Sequence, residues 1–175
     1  GSSLRDALVA GSAWLEQHID LINSLNVFPV PDGDTGTNMF LTMQAALKET
    51  FGLTPLTVPT LIQSIAHGAL MGARGNSGVI LSQILRGMAK VLAHTEAVRG
   101  SDLAQALTEG ANTAYKGVIK PVEGTILTVS REVSTAAETS ARSTQDLREM
   151  MGQIVEAANE AVARVRLDLE ELPAV

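Results

Sequence analysis

Three short polar segments hold most of the residue types in this chain that can do chemistry. The first, Asp32-Gly-Asp-Thr-Gly-Thr-Asn38, sets two carboxylates one residue apart on a tight turn. Hard oxygen donors in that arrangement suit Mg²⁺, which takes one or two carboxylates and completes its shell with phosphate oxygens and water. Thr35, Gly36, Thr37 and Asn38 follow at a helix start, where hydroxyls and free backbone N–H groups can hold phosphate. The plain structural alternative is a turn in which Asp34 or Thr35 caps a helix. An EF-hand does not fit, because the positions that should be Gly and Glu fall on Thr37 and Met43.

The second segment is Gly72-Ala-Arg-Gly-Asn-Ser-Gly78. Gly75 and Gly78 lack the Cβ that would keep backbone N–H groups from an oxyanion. Asn76 and Ser77 stand at the next helix start, placed to contact phosphate. Arg74 is the candidate catalytic residue, a charge that could neutralise a transferring phosphoryl group. The alternative is a tight helix-to-helix turn with a solvated Arg. A Walker A loop is excluded, since no Gly-Lys-Ser/Thr occurs. The third segment, Lys120-Pro-Val-Glu-Gly-Thr125, offers Thr125 as a helix cap or nucleotide contact. Lys120 is a candidate phosphate contact, weighed against the ordinary fate of a loop lysine, solvation. His18, His67 and His94 are scattered without metal-ligand spacing, and Ser77 lacks the surroundings of a hydrolase nucleophile.

The elements that must position these loops are helices. Leu4, Leu8, Leu15, Ile19 and Ile22 recur at helical spacing, so one helix is expected over 4–23. Further helices are expected over about 36–49, 60–72, from Gly78 through Leu92, and over about 102–118, 125–141 and 145–165, with Asp102 as a cap. Loops after the first, third and fifth helices share an end in an up-and-down bundle, so the three polar segments can converge. With 45% hydrophobic but only 3% aromatic residues, the core is aliphatic, which favours packed helices. The expectation is a single all-α domain over 4–175, an antiparallel up-and-down barrel or bundle of about eight helices. Gly1-Ser2-Ser3 reads as a tag remnant, and the domain as a piece of a longer protein. A net charge of −6 argues against general nucleic-acid affinity. The absence of cysteine, of a secretory signal and of an apolar run of about 20 residues fits a cytoplasmic protein without a transmembrane segment.

The run Ile22-Asn-Ser-Leu-Asn-Val-Phe-Pro-Val-Pro-Asp-Gly-Asp-Thr-Gly-Thr-Asn-Met39 resembles the start of the catalytic A subunit of bacterial fatty acid kinase. The resemblance continues through Gly72–Ser82 and Ala114–Thr128, and the chain is more distantly similar to the L subunit of dihydroxyacetone kinase. It implies a barrel of helices with ATP or ADP at one end and one or two Mg²⁺ ions on its phosphates. In the dihydroxyacetone kinase relatives three aspartates hold the metals. Two match Asp32 and Asp34, and the third place falls near Asn26, whose amide oxygen is a weaker ligand. Thr35 stands where those relatives have a histidine. The resemblance further implies that Thr37 and Asn38 touch nucleotide or metal, that Asn76 and Ser77 touch phosphate, and that Thr125 lies near the nucleotide. The implied acceptor is a fatty acid on a separate acyl-binding protein, engaged through downstream domains and converted to acyl phosphate. A second copy of the chain is a further candidate partner. The alternatives are phosphotransfer to dihydroxyacetone and a non-catalytic nucleotide-sensing domain. The relatives continue into another glycine-rich segment beyond Leu172-Pro-Ala-Val175, so this chain alone is expected to bind nucleotide and to transfer phosphate poorly.

Overall fold

A computed structural model describes residues 1–170, with side chains over 1–166; the Leu172–Val175 stretch lies outside the described residues. The helices are α1 (Ser2–Gln17), α2 (Ile19–Ser24), α3 (Thr35–Lys48), α4 (Val58–Met71), α5 (Gly75–Leu92), α6 (Gly100–Gly117), α7 (Ile126–Ser143) and α8 (Leu147–Glu170). Among the described residues there is no strand, and no helix is long and apolar enough to cross a membrane. The fold is an all-α bundle in which successive helices pack on one another from α3 to α8, with α3 also against α5 and α1 and α2 against α3.

Helix starts follow local chemistry. Thr57 and Thr60 form a reciprocal capping box at α4, with a proline in its first turn, so the helix begins at Val58 rather than Thr60. Asp102 proves to be an interior first-turn residue of α6, not its cap. Its carboxylate reaches back to accept the Arg99 N–H at 2.9 Å, which moves the helix start to Gly100. Asp146 accepts the Arg148 and Glu149 N–H groups at the start of α8.

The single helix expected over 4–23 is two. His18 leaves helical geometry at φ −114° and ψ 10°, and its Nδ1–H donates to the Trp14 carbonyl at 2.8 Å. The break redirects the chain, and α2 then packs on α3. Ser2 and Ser3 belong to the first turn of α1, although the expected helix began at Leu4.

The main core is aliphatic. Leu61, Ile62 and Ile65 of α4 meet Met43 and Ala46 of α3, Leu85 and Leu92 of α5 and Ala106 of α6. A second cluster of Ala104, Ala137, Met150 and Ile154 joins α6, α7 and α8. Burial on this scale, at roughly 25 cal/mol per Å² of apolar surface, fixes the order of the helices and with it the end at which each connection falls.

Candidate functional site

The connections α2–α3, α4–α5 and α6–α7 meet around one cleft of about 410 Å³. Its polar rim carries Asn26, Asp32 and Asp34 from the first connection with Thr35 at the start of α3, Asn76 and Ser77 from the first turn of α5 just after the second, and Lys120 and Thr125 from the third. Its walls are apolar, with Ile22, Phe28, Met39, Ile80, Ile126 and Leu127 among them. An apolar pocket with a few convergent polar groups is the usual form of a small-molecule site.

The first loop is built so that two carboxylates face the cleft. Gly33, at φ +66°, turns the chain between Asp32 and Asp34. Asp34 holds the N-cap position of α3, yet its carboxylate makes no capping bond. Asn23 of α2 caps the helix instead. Its Oδ1 accepts the Gly36 N–H at 2.8 Å and the Thr37 N–H at 3.2 Å, and its Nδ2 donates to Thr37 Oγ1 at 3.0 Å. Gly36 is buried against α2: a Cβ there would sit 2.7 Å from the Ile19 carbonyl oxygen. The Gly36 and Thr37 N–H groups are thus engaged within the fold, and Gly36, Thr37 and Asn38 are not among the cleft-lining residues. Asn26 lines the cleft and donates through Nδ2 to Asp32 Oδ1 at 2.6 Å.

The second loop docks on α3. A Cβ on Gly75 would meet Asn38 Nδ2 at 2.3 Å, and one on Gly78 would meet Thr42 Oγ1 at the same distance. Thr42 is fully buried; its hydroxyl donates to the Asn38 carbonyl at 2.7 Å and accepts the Arg74 N–H at 3.2 Å. Asn38, Thr42, Gly75 and Gly78 therefore set the seat of α5 on α3. That seat leaves Asn76 and Ser77 toward the cleft at a helix start without a side-chain cap, where first-turn N–H groups lack intrahelical partners. Arg74 is not among the cleft-lining residues.

The third loop is clamped from behind. Arg131 of α7 donates to both oxygens of Glu123, at 2.6 and 2.9 Å, and Tyr115 of α6 donates to the same carboxylate at 3.1 Å. Thr128 donates to Glu123 Oε2 at 2.6 Å and accepts the Gly124 N–H at 2.9 Å. The Arg131 bond, helped by that from Thr128, draws the Glu123 carboxyl down to about 2. Burial first, then the bond to Glu123, pushes the Tyr115 hydroxyl up. Thr125 caps α7, accepting the Leu127 N–H at 3.3 Å. Sequence reading passed over Asn23, Thr42, Tyr115 and Arg131. Their partners lie on other elements, and nothing in local spacing marks them.

The donor set suits a hard cation held jointly with a ligand. Asp32 and Asp34 give carboxylate oxygens and Asn26 an amide, while among the described residues no group of three or more His, Cys, Asp or Glu gathers. Two carboxylates leave most of an octahedral shell to phosphate oxygens and water, which is how Mg²⁺ is held at phosphate-transfer sites.

The model of the DAK2 domain matches residues 29–170. Proteins of Staphylococcus aureus strains bovine RF122 / ET3-1, USA300 and COL, each named only as an uncharacterized protein, are 45% identical over 162 residues. The alignment covers 93% of this chain and 30% of each relative, so the chain spans about a third of their length. The DAK2 match takes in α3 to α8, both aspartates and the whole of the second and third loops. This chain belongs to the DAK2-domain family, a kinase-related family whose domain is of the dihydroxyacetone kinase-type, nucleotide-binding kind.

Proposed function

We propose that this domain binds ATP with Mg²⁺ in the cleft and serves an ATP-dependent phosphotransferase. The observation that carries the reading is the convergence of Asp32 and Asp34 with the first turns of α5 and α7 on one largely apolar cleft. The apolar walls suit a nucleobase and ribose. Asn76, Ser77 and the open N–H groups of α5 suit phosphate oxygens, with Thr35 and Thr125 at the rim. Asp32 and Asp34 would hold Mg²⁺, with Asn26 either as a third oxygen donor or orienting Asp32. The ion would supply charge neutralisation along the phosphates. Phosphoryl transfer asks for positioning and charge more than for protein acid–base groups, in keeping with a cleft that has no histidine or cysteine in its lining.

The acceptor we propose is the carboxylate of a fatty acid on a separate acyl-binding protein. A carboxylate oxygen bonds to the γ-phosphorus, the bond to the bridging oxygen breaks, and acyl phosphate and ADP result. Transfer is expected of the longer protein rather than of this chain alone, which spans 30% of its relatives.

Calorimetric titration of ATP with and without Mg²⁺, beside the Asp32→Ala/Asp34→Ala double variant, tests the site. Mg²⁺-dependent binding that the variant loses is the expected result. Equal binding by the variant would remove the metal role of the first loop. Incubating the full-length protein with a loaded acyl carrier or with dihydroxyacetone tests the acceptor, and transfer only to the latter would overturn it.

A further inference from the structure

We infer, resting on the nucleotide reading above, that Lys120 is the cation that contacts the polyphosphate in the cleft, and that the Glu123–Arg131–Tyr115 cluster positions it there. Among the described residues lining the cleft, Lys120 is the only basic one, and the lining also holds Asp32 and Asp34. A nucleoside triphosphate entering this cleft brings more negative charge than one divalent ion neutralises, so a fixed positive charge in the lining acts directly on binding. Among the described residues Lys120 has no ion-pair partner, whereas Arg131 is held by Glu123 and Lys90 by Glu109.

The loop that carries Lys120 is anchored at the cleft on both sides of it. Val118 is extended at φ −109° and ψ 125°. Val118, Lys120 and Val122 line the cleft, while Ile119 between them is 98% exposed. The chain bends at Ile119 and Lys120, and the valines on either side of that bend seat the loop at the cleft. The seat is set from behind. Glu123 is gripped by Arg131 through two bonds and by Tyr115 and Thr128 through one each, which ties the segment to α6 and α7. None of these bonds involves Lys120, so its ammonium is not engaged by the cluster that holds the loop. Glu123 acts through Lys120 and is a positioning residue.

The test is calorimetry with MgATP and ligand-observed NMR with adenosine, on wild type, Lys120→Met, Lys120→Arg, Glu123→Gln and the Lys120→Met/Glu123→Gln double variant. Loss of one charge-assisted contact should weaken MgATP about ten- to a hundredfold in Lys120→Met and leave adenosine within a factor of about two. Lys120→Arg should recover most of the loss. Glu123→Gln should weaken MgATP without touching adenosine, and should add nothing in the Lys120→Met background, because its effect passes through the lysine. MgATP binding by Lys120→Met as tight as by wild type would overturn the inference and leave the nucleotide site standing. Full additivity in the double variant would overturn the positioning role. No MgATP binding by wild type would overturn both readings.

Discussion

An N-cap residue ordinarily turns its side chain onto the first N–H groups of its own helix. Asp34 occupies that position in α3 and does not, because Asn23 of α2 meets the Gly36 and Thr37 N–H groups first. Asp34 is thereby left to the cleft beside Asp32. Asn23→Ala is expected to lower unfolding stability by about 1–2 kcal/mol in urea. It should also weaken Mg²⁺-dependent nucleotide binding, since Asp34 would be drawn into capping. A variant as stable as wild type would show that the Asn23 bonds contribute nothing. A second residue-scale test concerns Gly78, where an added methyl would sit 2.3 Å from Thr42 Oγ1. Gly78→Ala should cost about 1–3 kcal/mol through overpacking. In a Thr42→Ala background, which removes that oxygen, the same change should cost clearly less, and equal costs in both backgrounds would refute the contact.

At the scale of elements, the α6–α7 connection is held by an ion pair whose partners are half exposed, with Glu123 and Arg131 at 59% and 50%. Solvent screening reduces what such a pair contributes, so its value here is geometric rather than a large share of stability. Its pH dependence still has a definite sign. The Glu123 carboxyl lies at about 2 in the folded chain, below the ordinary 4.5. Its contribution is fully present above the ordinary value and is lost as pH falls toward about 2. The difference in thermal midpoint between wild type and Glu123→Gln should therefore be constant from neutral pH down to about 5 and shrink below that. A difference as large at pH 3 as at pH 7 would contradict the depressed carboxyl. Raised salt should shrink the difference as well.

At the scale of the molecule, the core and the cleft are separable. Ile65 is fully buried in the α4 cluster and does not line the cleft. Ile65→Ala should cost about 2–5 kcal/mol in stability while the folded protein keeps its nucleotide affinity, as a thermal melt and a titration of one sample would show. Much of this architecture was legible beforehand. Leu81, Ile84, Leu85, Met88 and Leu92 recur at helical spacing, and Gly, Pro and Asp mark the breaks, so the helices after the first fell within a few residues of expectation. The parity of the connections was legible too, and the three polar loops do share one cleft. The first helix was misread as continuous, because the bend at His18 comes from φ and ψ at one residue in an unbroken apolar pattern. Of the residues the loops offered, Asp32, Asp34, Thr35, Asn76, Ser77, Lys120 and Thr125 line the cleft, as does Asn26, which the resemblance implied, whereas Gly36, Thr37, Asn38, Arg74, Gly75 and Gly78 do not. Residue types and spacing determined by themselves the helical class, the places where the chain must turn and the three polar segments that share the cleft. These follow from periodicity and backbone preference, which are properties of neighbours in sequence. Only the tertiary structure decided that Asn23 would release Asp34, that Thr42 would seat Gly78, and that Glu123 would answer Arg131. Each of those depends on a distance of about 3 Å between elements, set by how the helices pack and not by any local pattern.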